Sequence, residues 1–266
     1  MNFKKNYIYH SDAQSMSDLP DGSIKLMVTS PPYNVTKDYD ENLTLKEYLN
    51  LLINVFSEVY RVLTDSGICA VNIANVGRKP YIPLDCYVIQ ILYNIGYSVH
   101  QEIIWNKAAS AGSSCAWGSW KSASNPSLRD VHEYIIIASK SDEELEINEI
   151  NDISLKVESK SIVISDNELC QNIWTFGAES ARTVNHPAPF RVELPYRIIR
   201  LFTDIDDIVL DPFMGSGSTA IASLAAKRKY IGYEINIEYV ELANRRINQY
   251  LHGKMKKKNE NEKRKN

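Results

Sequence analysis

Ser30-Pro31-Pro32-Tyr33 puts a hydroxyl, free carbonyls and an aromatic ring on a stretch of chain that cannot bend freely. Two consecutive prolines fix φ and remove two backbone donors, so the stretch cannot simply continue a strand ladder or open a helix. Such a turn offers hydrogen-bond acceptors and a stacking face in fixed positions. It also reads as a plain rigid exit from a strand, the ordinary work of turn prolines. A second group of residues bears on the choice. Asp211-Pro-Phe213-Met-Gly215-Ser-Gly217 follows a short apolar run, and Lys229-Tyr-Ile-Gly-Tyr-Glu234 ends on a carboxylate. A glycine loop between strand and helix lets backbone N–H groups approach a ligand closely and aims a helix N-terminus at an anion. The loop lacks the G-x-x-x-x-G-K-[ST] of a P-loop and is shorter than G-x-G-x-x-G, which leaves a dinucleotide site poorly supported. Glu234 lies 17 residues after Gly217 (234 − 217), and an acid at such a strand tip is placed to accept both hydroxyls of a ribose. Alone, Glu234 is an exposed strand-end acid; together the two features predict a nucleoside ligand with an anionic end.

The elements that must position these groups are legible around them. Ile24–Val28 reads as a buried strand delivering the Pro-Pro turn, and residues 7–10 as a short strand before Asp12. Asp12 suits a helix cap, with a polar ligand contact as the other reading. Thr44 and Glu47 form a capping box. Apolar residues at 45, 48, 49, 52, 55, 56, 59, 62 and 63 then make a one-faced helical stripe, stopped by Asp65-Ser66-Gly67. A strand at 68–73, a helix from Pro83 to Tyr93 ending near Gly96, and strands at 98–105 and 131–139 follow. Later come a helix at 195–202, strands at 208–211 and 229–234, and an amphipathic helix from Ile235 to Leu251. Strands alternating with helices predict an α/β fold, a mostly parallel sheet with helices on its faces.

Three stretches stand apart. Residues 106–130 are rich in Ser, Ala, Gly and Asn, with Lys107, Trp117, Trp120, Lys121 and Arg129 among them. Cations beside stacking rings suit a nucleic-acid surface, and a lid anchored by its tryptophans is the alternative. Residues 141–166 carry an acidic run and then alternating residues around 160–164, the pattern of an insert or small hairpin with a solvated face. Asn185-His186-Pro187-Ala188-Pro189-Phe190 is another proline-stiffened turn, where a lone His is more often structural than catalytic. The tail, 253–266, is polar and basic and is expected to be disordered.

With 266 residues, 44% hydrophobic and 24% charged, the chain suits one α/β domain with a small insert. A net charge of −3 argues against a uniformly basic coat but leaves room for a local basic face. No signal pattern or membrane-length apolar run is visible. Cys69, Cys86, Cys115 and Cys170 are widely separated, suggesting neither a zinc site nor a disulfide framework.

Ser30-Pro31-Pro32-Tyr33, His186-Pro-Ala-Pro-Phe190, the Asp211–Gly217 loop and Glu234, in that order, resemble the β-class amino DNA methyltransferases that use S-adenosylmethionine. The resemblance covers residues 7 to 250 and implies a Rossmann-like methyltransferase fold, circularly permuted so that the catalytic motif precedes the cofactor motif. It implies a catalytic domain over 1–250, a short target-recognition insert at 141–185 and a basic tail at 251–266. Ser30, Pro31, Pro32 and Tyr33 would be catalytic. Asp12, His186, Phe190, Asp211, Phe213, Gly215, Gly217 and Glu234 would line the cofactor, and Lys107, Trp117, Trp120, Lys121 and Arg129 would meet DNA. No metal is expected. Double-stranded DNA is the implied partner, with a restriction endonuclease acting at the same site, in a cytoplasmic prokaryotic protein that is a monomer or homodimer. Ser before Pro-Pro-Tyr and Ala-Pro-Phe after His-Pro resemble the N4-cytosine enzymes more than the N6-adenine ones. No cysteine follows a proline, against covalent C5 chemistry. A nucleotide-cofactor oxidoreductase and a catalytically dead DNA-binding relative are the competing classes. The first leaves the Ser-Pro-Pro-Tyr turn unexplained, and the intact Ser30, Tyr33 and glycine loop speak against the second.

Overall fold

The computed structural model describes residues 3–33, 43–76, 80–107, 130–141, 153–157, 160–164, 166–177 and 191–263. Asn34, Cys115, Trp117, Trp120, Lys121, Arg129, His186 and Phe190 therefore lie outside the described residues.

Eight strands form one sheet. In chain order they are β1 (Tyr7–His10), β2 (Ile24–Thr29), β3 (Leu63–Ile73), β4 (Ser98–Asn106), β5 (His132–Ser139), β8 (Ile173–Thr175), β9 (Ile208–Asp211) and β10 (Lys229–Glu234). Across the sheet the order is β1-β10-β9-β2-β3-β5-β4-β8, while β6 (Ile153–Val157) and β7 (Lys160–Ile164) pair as a separate antiparallel hairpin. Within the large sheet every neighbour pair is parallel except the two made by β5. The helices are α1 (Leu45–Val62), α2 (Leu84–Ile95), the short α3 (Asp166–Leu169), α4 (Glu193–Phe202), α5 (Ser218–Ala225) and α6 (Ile237–Lys263).

Both faces of the sheet are covered, which is why its central strands read as unbroken apolar runs rather than as alternating ones. Leu26, Val28, Ile68, Ala70, Ile135 and Ile137 point into one core, shared with residues of α4, α5 and α6. Their chain neighbours Met27, Cys69, Val71, Ile136 and Ala138 point into the other, beneath α1 and α2. The α1 stripe behaves as its spacing predicts: Tyr48, Leu52, Val55, Phe56, Val59 and Val62 are all buried. Its capping box is formed, with the Glu47 amide donating to Thr44 Oγ1 at 3.3 Å and the Thr44 amide to Glu47 Oε2 at 2.8 Å. Gly96 ends α2 at φ 115°, a conformation a side chain would oppose.

Four boundaries differ from the sequence reading. The α1 helix stops at Val62, before Asp65-Ser66-Gly67, and β3 begins at once at Leu63, with a register irregularity against β2 that absorbs the turn-forming residues. Asp12 caps no helix. It follows β1, and its carboxylate accepts from the Gln14 amide and from Gln14 Nε2, both at 2.9 Å, a local side-chain turn. Residues 173–175, inside the stretch expected to be an insert, form an edge strand parallel to β4. The indole of Trp105 donates to the Phe176 carbonyl at 2.9 Å and fixes that edge. The last helix continues to Lys263 instead of giving way to a disordered tail after Leu251. Lys, Glu and Met propagate an existing helix readily, and no proline interrupts them. Among the described residues no helix is long and apolar enough to cross a membrane.

Candidate active site

The polar groups singled out by sequence converge on one edge of the sheet. Ser30 follows β2, Lys107 follows β4, and Asp211 and Glu234 end β9 and β10. Asn72 is next to last in β3. Because β5 runs the other way, its amino end brings Glu133 to the same edge. In open α/β sheets ligands bind outside the carboxyl ends of the strands, where the direction of connection reverses. Here the reversal falls between β9, which connects outward to β10, and β2, which connects the other way to β3.

Across that seam the Thr29 hydroxyl donates to Asp211 Oδ1 at 2.6 Å. The Phe213 amide donates to the same oxygen at 3.0 Å, and the Thr219 hydroxyl, in the first turn of α5, to Oδ2 at 2.6 Å. Asp211 is 2% exposed, and burial pushes its carboxyl up to about 6 against the pull of these three donors. A carboxylate satisfied in this way shapes the loop and supplies a buried negative charge rather than a free hand to a ligand. Glu234 differs. It accepts one backbone N–H on each oxygen, Gly215 on Oε2 and Asn236 on Oε1, both at 2.8 Å, which leaves lone pairs on both. Burial raises its carboxyl, and the Asn236 and Gly215 amides oppose that. Asp12 follows Ser11, whose amide donates to the Glu234 backbone carbonyl at 3.2 Å.

Gly217 holds φ 81°, and a Cβ there would stand 2.9 Å from the Cβ of Ala243 on α6. The glycine loop can thus lie flat between β9 and the last helix only without a side chain. Gly217→Ala is expected to cost about 1–3 kcal/mol, read as a lower urea midpoint with an unchanged slope.

The second cluster surrounds Ser30. Ser30 Oγ and Tyr33 Oη are 3.0 Å apart, and the Tyr33 hydroxyl donates to Glu133 Oε2 at 2.9 Å. The Asn72 amide donates to Glu133 Oε2 at 2.6 Å, to Tyr33 Oη at 2.9 Å and to Ser30 Oγ at 3.3 Å. Lys107 Nζ forms an ion pair with Glu133 Oε1 and lies 5.5 Å from the Trp105 ring centre. Burial first, then the Glu133 carboxylate, raises the Tyr33 phenol well above its ordinary value, so it keeps its proton at neutral pH. Lys107, expected at the start of a DNA-facing loop, is thereby paired with Glu133 at the strand ends that also carry Ser30 and Asn72.

No role in the site was expected of Asn72 or Glu133, and Thr29 and Thr219, at the margins of the two motifs, were assigned none. Each carried a signal: a polar residue within or bordering an apolar run, and a polar side chain buried in a sheet is a more informative observation than a buried Ile.

The comparisons with known proteins agree with this geometry. A family model described as DNA methylase, covering N6 and N4 enzymes, matches residues 24–245. The chain belongs to the N6/N4 DNA methylase family. Over 274 residues the methylase is 31% identical to the Type II methyltransferase M.MthZI of Methanothermobacter thermautotrophicus, covering 92% of this chain and 77% of that one. Its fold matches the PvuII DNA methyltransferase described as cytosine-N4-specific, with a TM-score of 0.70, 20% identity, and 92% and 87% of the two chains covered. It also matches TTHA0409 of Thermus thermophilus in complex with S-adenosyl-L-methionine, with a TM-score of 0.66, 23% identity, and 91% and 93% covered. The methylase is thus an amino DNA methyltransferase of the β class, with the Ser-Pro-Pro-Tyr turn early in the chain and the glycine loop late. Its Rossmann-like sheet is the methyltransferase fold the motifs imply.

Proposed function

We propose that this methylase transfers a methyl group from S-adenosylmethionine to the exocyclic N4 amine of a cytosine flipped out of double-stranded DNA, within a specific DNA sequence. The observation that carries the reading is Ser30 Oγ, held by Asn72 and Tyr33 at the edge of the sheet where β2 meets the Asp211 loop. An exocyclic amine is a poor nucleophile, because its lone pair is delocalised into the ring. Ser30 Oγ and the Pro31 carbonyl accept its N–H groups, draw it towards tetrahedral geometry and localise that pair. Pro31 and Pro32 keep both acceptors in register, so the chain's contribution is mostly alignment. The Tyr33 hydroxyl is anchored on Glu133, which fixes its ring as a stacking face for the base. A base inside a duplex is out of reach of this edge and must be extruded.

The donor site fits the same reading. S-adenosylmethionine supplies, when bound, a methyl group on a positively charged sulfur. Glu234 has an acceptor lone pair on each oxygen for a ribose, and the flat glycine loop admits a ligand close to its backbone. Asp211 provides negative charge, and Phe213 an aromatic face that tolerates a cation. We place Asp12, His186 and Phe190 around the nucleoside as well. Residues 108–129 fall in the chain between Lys107, whose amide donates to the Val131 carbonyl at 2.7 Å, and Asp130. We assign Trp117, Trp120, Lys121 and Arg129 of that segment to DNA, base reading to the insert at 141–185, and the catalytic domain to residues 1–250. A restriction endonuclease acting on the same sequence is the expected companion.

Cofactor affinity should depend on pH. Asp211 is ionised at pH 7.5 and takes up a proton as pH falls through about 6. The cationic sulfonium favours the ionised form, so binding weakens on the acid side, by about tenfold at pH 5. Glu234, also raised, acts with the same sign. Calorimetric dissociation constants across this range check the point, and Asp211→Asn should flatten the curve.

Incubation with tritiated S-adenosylmethionine and double-stranded DNA tests the function itself. Label in the DNA is expected. Its absence with folded, cofactor-binding protein would contradict the reading, and label on adenine would move the chemistry to the N6 branch.

A further inference from the structure

We propose that Glu133 is the acceptor of the proton the target amine loses, reached through Ser30 and Tyr33 in series. The inference rests on the amino-methyltransferase reading and assigns a chemical role to a carboxylate that the reading uses only to anchor Tyr33.

The hydrogen bonds have only one consistent polarity. Tyr33 has a single hydroxyl proton, and it is donated to Glu133 Oε2 at 2.9 Å. The 3.0 Å contact between Ser30 Oγ and Tyr33 Oη is then donated by Ser30. With its own proton committed inward, Ser30 Oγ can face the substrate only as an acceptor, sharing its lone pairs with a long 3.3 Å contact from Asn72. The sequence therefore runs amine N–H, Ser30, Tyr33, carboxylate, every donor pointing towards Glu133. Asn72 Nδ2 lies within hydrogen-bond distance of all three oxygens and shares its two protons among them, and as an amide it cannot take a proton in their place.

The step balances without any further reactant. The amine nitrogen forms a bond to the methyl carbon as the C–S bond breaks, and that electron pair stays on sulfur. The surplus proton on nitrogen moves to Ser30 Oγ, the Ser30 proton to Tyr33 Oη, and the Tyr33 proton to Glu133 Oε2. The cofactor loses its positive charge and Glu133 its negative charge in the same event, so these two charges cancel and the Lys107 ammonium is the charge left beside the neutral carboxyl. Lys107 occupies Oε1, which leaves Oε2 to receive the proton. Among the described residues, the charged and titratable groups that face Glu133 include Lys107 from the end of β4 and Tyr33 from the loop after β2, with Tyr48 of α1 beside Tyr33. Glu133 is 8% exposed, and the Lys107 ammonium compensates the carboxylate's charge in that setting. The protonated carboxyl discharges to water once the product leaves.

A purely structural network would make a different prediction from a proton path. The test is single-turnover methyl transfer from preformed protein–S-adenosylmethionine complex to DNA at pH 7.5, in H2O and in D2O. For the wild-type chain the rate should be lower in D2O, because protons move in the same event as the methyl group. Glu133→Gln preserves shape and should slow transfer by about 10²- to 10⁴-fold and remove that isotope effect. Tyr33→Phe interrupts the same path and should lose as much, while the double variant should lose no more than either alone. Cofactor dissociation constants of the variants should match the wild type, which controls for folding. A Glu133→Gln rate within about threefold of wild type with the isotope effect intact, or losses that add in the double variant, would overturn the proton path and leave the methyltransferase reading standing. Failure of the wild-type chain to methylate DNA would overturn both, and is seen before any variant is made.

Discussion

Ser30→Ala is expected to lower the single-turnover rate of methyl transfer by about 10²- to 10³-fold, the usual loss when one preorganised polar group at a reacting centre is removed. Three features of the structure support so large an effect. Ser30 follows directly on β2, whose preceding residue Thr29 is tied to Asp211 at 2.6 Å, so the oxygen that disappears is fixed relative to the cofactor loop. The two prolines after it prevent the backbone from moving to substitute another acceptor. Its removal also leaves Tyr33 Oη and Asn72 Nδ2 without one of their partners at a part-buried position. S-adenosylmethionine should bind Ser30→Ala as tightly as wild type, because no Ser30 contact reaches Glu234 or the glycine loop among the described residues. Equal rates for the two proteins would remove Ser30 from the chemistry.

Glu234→Ala should act on the other substrate. Two hydroxyls hydrogen-bonded to one carboxylate are charge-assisted contacts worth about 1.5–3 kcal/mol each, so calorimetry should show the dissociation constant rising at least about a hundredfold. Part of that loss is indirect, since Glu234 also holds the amides of Gly215 and Asn236 and without it the loop loses a tether. Glu234→Gln separates the two contributions. It can keep an acceptor for one amide while giving up the charge, and an intermediate affinity is expected. At saturating cofactor the chemical step of both variants should approach that of wild type. An unchanged dissociation constant in Glu234→Ala would place the ribose elsewhere.

These two residues were legible in the sequence because each sits at a punctuation mark: Ser30 before Pro-Pro, Glu234 at the last position of an apolar strand opposite a glycine loop. The groups that organise them were not. Asn72 and Glu133 are 61 residues apart and meet only because β5 inserts antiparallel between β3 and β4, a pairing that local periodicity does not encode. Glu133 stands at the head of the apolar run Tyr134–Ala138, inside the strand expected at 131–139 and with no motif around it to mark it. The alternation of strands and helices did encode the sheet, since each crossover buries a continuous apolar run. It could not encode β8, three residues at an edge, held by the Trp105 indole and not by its own propensity. Lys107 shows the same limit from the other side. As a cation opening a polar segment it reads as a phosphate contact, and only the fold pairs it with Glu133.

The most direct measurement is mass spectrometry of the nucleosides in DNA from cells that lack DNA methylation and express this chain, because it needs no knowledge of the recognition sequence. The account predicts N4-methyldeoxycytidine, absent when Ser30→Ala is expressed instead. N6-methyldeoxyadenosine in its place would contradict the assignment of the base, and 5-methyldeoxycytidine or no methylated nucleoside at all would contradict the amino-group chemistry built on Ser30.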